Sequence, residues 1–320
     1  MLDVFLTVDV EVWCDGWVNI DAKFPAAFKR YIHGPTARGN YGLPYLVDVL
    51  QSHALTGVFF VEPLFSCRFG PEPLREIVQL LLAGRQEVQL HLHTEWVDEA
   101  TVSLLEDVQG KRQHLRYFTL QEQVQLIRIG QRLLQQAGAP PPSAFRAGSF
   151  GLNQDTLTAL GQCGIRIDSS YNACMLGASS GVSPGKPLLD VSDMAGVHEV
   201  PMTVFHDGMG KLRHAQLTAC SFSELQGLLW RSLETGRQSF VLLMHNFELL
   251  NPRMTRPDKI VLRRFHQLCE FLDRHRDSFC VRGFRDWQPP RQAMPAPMLT
   301  APWWHTGQRL AEQALSRAFA

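Results

Sequence analysis

Four stretches of this sequence end in residues that could do chemistry together. The first, L-D-V-F-L-T-V-D-V-E-V-W at 2–13, is apolar and β-branched until Asp9 and Glu11. A strand points alternate residues to opposite faces, so the two carboxylates would share one face. Two acids side by side are costly to bury unless a cation or a shared proton compensates them. The plainer alternative is a strand end with solvated acids. The second stretch, E-V-Q-L-H-L-H-T-E at 87–95, carries His91, His93 and Glu95. If it stays extended, all three side chains share a face; if a helical turn follows His91, then His91 and Glu95 meet instead. Either way the set mixes imidazole and carboxylate, which suits zinc or another borderline divalent metal. The third is F-R-A-G-S-F-G with Arg146, and the fourth is F-V-L-L-M-H ending in His245, with Asn246 and Glu248 following.

Residues of these types can hydrolyse an amide. A divalent metal polarises the carbonyl and lowers the pKa of a water. A nearby carboxylate takes the proton of that water, and a histidine on the far side gives one to the leaving nitrogen. An arginine beside the base holds it ionised. Taken singly, a histidine ending a strand is also an ordinary structural residue, and an arginine before a glycine turn an ordinary ion-paired one. Their recurrence in order at successive strand ends is what favours chemistry. The remaining histidines read as structural or exposed, with His33 and His114, in long loops, as further residues that could meet a substrate.

The elements that must position these residues alternate between strands and helices. Buried strands are expected at 2–13, 55–61, 87–93, 144–148, 165–169, 197–205, 240–245 and 279–283. Helices are expected at 41–53, 73–83, 119–137, from 153 to before 164, from Ser221 or Ser223 to about 235, and at 257–276. Thr119 and Glu122 have capping-box spacing and Asn153 is a good cap. Residues 14–40 read as a long loop, residues 97–118 as irregular, and residues 172–196 as a Gly/Ser/Pro-rich insertion. Strands alternating with helices argue for a parallel α/β sheet or barrel, in which sites gather at the C-terminal ends of strands. Residues 1–287 are expected to form the catalytic barrel. Residues 288–320 are expected to be a Pro-rich linker and a short terminal helix with Leu310, Ala314, Leu315 and Phe319 at helical spacing. The tail, with Trp303 and Trp304, could be a dimer contact or a lid, so a homo-oligomer is one expectation.

The totals narrow the class. The chain has 320 residues, 45% hydrophobic and 19% charged, with 31 basic and 31 acidic side chains. A neutral balance offers no polyanion-binding surface, so nucleic acid is not expected as a partner. The seven cysteines are widely spaced with no C-x-x-C pair, so neither a zinc knuckle nor a disulfide framework is indicated. No apolar run of membrane-spanning length occurs, and the opening residues have no basic and apolar signal pattern, so a cytoplasmic location is expected.

With these motifs in place, residues 3–285 resemble the polysaccharide deacetylase family, the NodB-homology group of carbohydrate esterases. Its first motif, T-F-D-D, is similar to T-V-D-V-E here. Asp9 takes the position of the catalytic base, Val10 replaces the second Asp, and Glu11 would be the metal ligand in its place. Its second motif, H-x-x-x-H, is matched by His91, but Glu95 stands at the second histidine, and His93 between them could substitute. Its arginine motif, R-x-G-x-[FW], is matched by R-A-G-S-F at 146–150, and the resemblance implies that Arg146 orients Asp9. Asp168 looks like a later acidic position of the family, and L-M-H matches its last motif, making His245 the general acid. The continuation H-N-F-E-L resembles a branch with an H-S-F-E ending.

The resemblance implies a distorted (β/α) barrel and a metal-dependent hydrolase that removes an N-acyl group, N-acetyl first of all, from a sugar or related amine. The expected catalytic residues are Asp9, His245 and Arg146; the metal donors come from Glu11, His91, His93 and Glu95; and Phe150, Trp96 and Glu248 would meet the substrate. The cofactor would be zinc, or cobalt or nickel. A cytoplasmic precursor, whether nucleotide-linked, lipid-linked or a small soluble amide, is the expected substrate. Two alternatives stay open: a metal-independent amidohydrolase resembling the allantoinases, and a catalytically inactive barrel that binds a carbohydrate or a partner.

Overall fold

The structure, a computed structural model, describes all residues except 109, 178, 183, 184, 290–295, 319 and 320, and leaves out the side chains of 315–318. In chain order the principal strands are β1 Leu2–Val10, β2 Gly57–Val61, β3 Glu87–Leu92, β4 Ala144–Ala147, β5 Ile167–Asp168, β6 Ser192–Met194, β7 Val197–Glu199, β8 Val204–His206, β9 Leu212–His214, β10 Ser239–His245, β11 Phe279–Val281 and β12 Leu299–Thr300. The principal helices are α1 Ile20–Phe28, α2 Leu43–Ser52, α3 Glu72–Ala83, α4 Leu120–Gln136, α5 Gln154–Gln162, α6 Phe222–Glu234, α7 Lys259–Arg274 and α8 Trp303–Ala318. The chain divides into two compact units, one of Met1–Gly57, Thr203–Arg282 and Pro295–Ala320, the other of Val58–Met202 and Gly283–Met294.

The first unit is built on β1. It pairs in parallel with β10, from Asp3 opposite Ser239 to Asp9 opposite His245. Its first residues also pair in parallel with β11. Both long strands are almost wholly buried, as continuous apolar strands of a parallel sheet are. The strand register therefore delivers Asp9 and His245 side by side at the C-terminal end of the pair. Helices α6 and α7 pack together, and Trp230, Phe271 and Phe279 join them to β11, with Trp230 and Phe279 ring centres 4.8 Å apart. Each helix start is capped as its sequence suggests: Ser221 and Glu224 form a capping box, and Asp258 Oδ1 accepts from the amides of Ile260 and Val261.

Residues 14–40 are not the loop that the sequence suggests. They hold α1, a π-helical turn at Lys29–His33, and a short hairpin, Pro35–Thr36 against Gly39–Asn40. Gly16, Pro25 and Gly34 point to a loop, but Ile20, Phe24, Ala27 and Phe28 repeat at helical spacing and are buried. Their burial outweighs the missing donor of Pro25 inside the helix. The expected terminal helix forms over Trp303–Ala318. Leu310 and Ala314 are exposed, while the side chain of Leu315 and all of Phe319 lie outside what is described. The face that docks is polar: Arg309 pairs with Asp207 at 3.2 Å and with Glu224 at 3.4 Å, Glu312 pairs with Arg264 at 2.7 Å, and Thr306 Oγ1 accepts from the amide of Gly208 at 2.9 Å. Trp303 and Trp304 remain exposed. No described helix is long and apolar enough to cross a membrane.

The second unit carries β2, β3, β4, β5 and β7, each parallel to the next, with β6 antiparallel on β7. Helices α3 and α4 pack on β3, and α4 on α5. The capping boxes at Thr119–Glu122 and at Asn153–Thr156 are both present. Residues 97–118 are irregular, as expected, apart from 3-10 turns at Thr94–Glu99 and Leu115–Tyr117. The expected strand at 197–205 is split into β7 and β8, and the one at 165–169 is shortened to β5.

Candidate functional site

Each unit holds one set of the residues singled out above. In the first unit, β1 ends at Val10, and Glu11 lies just beyond it. Asp9, Glu11 and His245 each offer a donor atom within 4.8 Å of the others. Asp9 and Glu11 are 4% and 7% exposed, so their negative charges face little water. Two further side chains hold Glu11. Trp13 Nε1 donates to its Oε2 at 2.7 Å. Asn246, fully buried, accepts from the Glu11 amide at 3.0 Å and donates to the Glu11 carbonyl at 3.2 Å and to the Tyr31 carbonyl at 2.7 Å. Asn246 thus pins the turn that carries Glu11 to the end of β10, a role its place in H-N-F-E does not announce.

His245 donates from Nδ1 to Glu248 Oε1 at 2.7 Å, and Gln216 Nε2 donates to the same oxygen at 2.5 Å. Burial works against charging His245. The hydrogen bond and charge of Glu248, followed by the charges of Glu11 and Asp9, outweigh it and hold the imidazole up at about 9. The i,i+3 spacing of His245 and Glu248, in the turn after β10, makes this pairing local. Gln216 arrives from the chain after β9, which bridges to Leu243 of β10.

In the second unit, β3 stops at Leu92 and a 3-10 turn begins at Thr94. Neither expected arrangement of 91, 93 and 95 occurs. Instead His93 Nδ1 meets Glu95 Oε2 at 3.3 Å, while His91 Nδ1 donates to the Arg146 carbonyl at 2.8 Å. Both partners are acceptors, so each Nδ1 carries a hydrogen in its contact. Metal-binding histidines are oriented in the same way, by an acceptor on the far nitrogen. The two rings are 4.8 Å apart, edge to face. Glu95 is placed as the residue that orients His93. His91 and His93 of this unit, and Glu11 of the first, are each buried, and imidazole and carboxylate are donor types that suit a divalent metal.

The glycine of the arginine motif is required by close approach. A Cβ on Gly148 would lie 2.6 Å from the Leu92 carbonyl oxygen and 2.9 Å from His93 Nδ1. Gly148→Ala is therefore expected to displace His93 and to cost about 1–3 kcal/mol, as overpacking does. A lowered Tm together with weaker metal uptake would show it, and an unchanged Tm would refute the close approach. The two residues after Gly148 are left-handed, Ser149 at φ 52° and Phe150 at φ 57°. Non-glycine residues hold that conformation only where surroundings impose it.

Arg146 is fully buried, with its guanidinium 4.3 Å from the centre of the Phe60 ring. Its Nε donates to the Ser169 carbonyl at 2.9 Å and Nη2 to Ser169 Oγ at 3.1 Å. Beneath it lie two fully buried acids, Asp168 and Glu199. Burial raises both, and the charge of Asp168 raises Glu199 further, while the charge of Arg146 pulls the other way. Glu199 is invisible in the sequence, where V-H-E-V reads as an ordinary strand. Among the expected substrate contacts, Phe150 is 9% exposed, and Trp96 is 1% exposed and packs edge-on against Phe65 and Phe69. Glu248 is taken up by His245 and Gln216 on one oxygen. His114 is buried and stacks on Tyr117 with ring centres 5.1 Å apart; His33 sits edge-on to Phe28.

No family model matches the sequence, and no curated protein matches it. Solved structures do. A protein from Mycobacterium smegmatis named as a polysaccharide deacetylase superposes with a TM-score of 0.54 at 18% identity, over 92% of this chain and 95% of that one. This chain has the fold of the polysaccharide deacetylases. The α/β class and the distorted (β/α) barrel expected from the motifs are thereby shown. A family 4 carbohydrate esterase from Streptomyces lividans, in complex with acetate, is similar at 12% identity over 92% of this chain and 97% of that one, with a TM-score of 0.43. A CE4 family pseudoenzyme from Bacillus anthracis is similar at 12% identity over 84% of this chain and 60% of that one, with a TM-score of 0.38.

Proposed function

We propose that this chain is a metal-dependent deacetylase that removes an N-acyl group, acetyl in the first instance, from an amino sugar or related amine. The observation that carries the reading is the cluster of Asp9, Glu11 and His245 at the ends of β1 and β10, with Glu248 on the far nitrogen of His245. A proton acceptor, a ligand carboxylate and a proton donor held in charged form are the parts that amide hydrolysis needs.

Glu11, His91 and His93 would hold the metal. When bound, a divalent ion of this kind supplies Lewis acidity toward the acyl carbonyl and makes water more acidic. Asp9 takes the proton of the attacking water, and Arg146 serves to orient Asp9. His245 donates its Nε2 proton to the nitrogen as the carbon–nitrogen bond breaks, leaving the free amine and the carboxylate. Glu248 keeps His245 protonated until then, while Trp13 and Asn246 hold the Glu11 carboxylate and turn in place. Phe150 borders the substrate.

The pH dependence follows from the sign of the His245 shift. A histidine held at about 9 is protonated below that pH and loses its proton as pH rises through it. The rate is therefore expected to fall on the basic side near that value. Glu248→Gln removes the hydrogen-bonded charge and should move that limb downward by roughly 1–3 pH units, the usual effect of one close opposite charge. A kcat–pH profile checks it; an unmoved limb would mean that His245 is not the proton donor.

Acetate release from N-acetylglucosamine oligomers, compared with release from O-acetylated sugars, tests the function itself. The reading expects release from the N-acetyl substrate. Release from the O-acetyl substrates alone would replace it by an esterase, and release from neither after metal loading would favour a barrel that only binds.

A further inference from the structure

Helix α8 is amphipathic in the reverse of the usual sense. A surface helix ordinarily turns its apolar stripe to the core and its charges to water. Here the buried face holds Thr306 and Arg309, 2% and 8% exposed, and the ion pair of Glu312 with Arg264. The exposed face holds Trp303, Trp304, Gly307, Leu310, Ala311 and Ala314. At 3.6 residues per turn these share an arc of roughly 120°, as wide as a core-facing stripe, and none of them is charged. Trp303 is 72% exposed, Trp304 56% and Leu310 47%. The turn between β8 and β9 extends the same face. Gly208 lies so close to the helix that a Cβ there would be 2.2 Å from Trp303 Cα, and the next residue, Met209, is 77% exposed. Asp207 holds the turn in place. Its Oδ1 accepts from the amides of Met209 and Lys211, both at 3.0 Å, and its Oδ2 pairs with Arg309 of α8 at 3.2 Å. One carboxylate therefore ties the tip of the turn to the helix.

The size and chemistry of this face favour one occupant. A tryptophan side chain presents about 150–250 Å², so at these exposures the two show roughly 200–300 Å². With Leu310 and Met209 the patch reaches the few hundred Å² that mark an interaction site on a monomer. It stays below the roughly 800 Å² that each partner buries in a stable protein pair. A lipid surface sets no such minimum, because binding there scales with the apolar area buried and the charge beside it. Tryptophan suits that boundary, with an apolar ring and an N–H that stays among the headgroups. Lys211, exposed in the same turn, adds a cation for anionic headgroups. No described helix can cross a membrane, and a helix apolar on one face alone lies along the surface. We propose that Trp303, Trp304, Leu310 and Met209 seat this chain on a lipid bilayer, with α8 lying in the plane of the headgroups. The face is held in place before it meets the lipid, so little ordering entropy opposes binding.

Flotation of the full chain with vesicles of phosphatidylcholine and phosphatidylglycerol in equal parts tests this. Wild type should float with the vesicles. The double substitution Trp303→Ser, Trp304→Ser should lower the partition coefficient at least about tenfold, since each indole withdraws on the order of 100 Å² from water. Met209→Glu, in a different element, should lower it as well, which keeps the test valid if the tryptophan variant misfolds. Val102→Ser, at a residue 76% exposed in the second unit, should float as wild type does. Sedimentation without lipid gives the oligomeric state of the same preparations. Wild type that stays with the unbound fraction would overturn the proposal, and so would undiminished flotation of the tryptophan and Met209 variants. A dimer that the tryptophan substitutions dissociate, with no flotation of wild type, would assign the face to a second copy of the chain instead. Loss of deacetylase activity would alter none of these outcomes.

Discussion

Asp9→Asn is expected to lower kcat for deacylation by about 10²- to 10⁴-fold, the contribution of a positioned general base, with little change in KM. The substitution keeps size and shape at a residue 4% exposed, so packing is preserved. It removes the ability to take a proton. It also removes one of two adjacent buried negative charges, so Tm is not expected to fall. His245 loses one of the charges that hold it protonated, but its main partner Glu248 remains, so the basic limb of the pH profile should move only slightly. Steady-state kinetics and thermal unfolding of the same preparation separate the possibilities. A folded variant that retains more than about a tenth of wild-type kcat would remove Asp9 from the base position, since less than one order of magnitude is below what such a base supplies.

His91→Ala should abolish metal retention and with it the activity. His91 is 1% exposed and its Nδ1 is committed to the Arg146 carbonyl, which fixes the ring and leaves Nε2 as the ligating atom. Alanine offers no ligand. It also strands the Arg146 carbonyl, so a moderate loss of stability accompanies the loss of metal. His93→Ala should behave alike. Glu95→Gln should be milder, weakening metal affinity roughly 10- to 100-fold as loss of a supporting partner does, because Glu95 acts through His93. Elemental analysis after dialysis gives the order. If Glu95→Gln lost the metal and His93→Ala kept it, the roles of these two residues would be exchanged.

The sequence made the strand ends readable because parallel strands announce themselves as continuous apolar runs, and a polar residue at the end of such a run stands out. Asp9, His91, Arg146 and His245 are of this kind. Local signals also carried through where they are chemically specific, as at Thr119, Asn153 and Ser221. The misreadings share a physical cause. Gly16, Pro25 and Gly34 mark a loop by their backbone preferences, yet α1 forms because tertiary burial of Ile20, Phe24 and Phe28 outweighs them. The stretch 91–95 could not be resolved by periodicity, because a strand that passes into a 3-10 turn obeys neither period. The terminal helix was legible from its spacing, but its ion pairs through Arg309 and Glu312 were not, because their partners are distant in sequence. Glu199, Gln216 and the clamp formed by Asn246 stayed hidden for the same reason: a buried polar residue has no sequence signature until its partner is known.

The central claim is that hydrolysis of an N-acyl sugar by this chain requires a divalent metal. The most direct measurement is acetate release from N-acetylglucosamine oligomers by one preparation, assayed as purified, after exhaustive chelation, and during stepwise return of zinc, cobalt or nickel. The account predicts that chelation stops release and that activity returns in proportion to bound metal, saturating near one ion per chain. Release that continues unchanged in the chelated protein would contradict it and point to the metal-independent amidohydrolase.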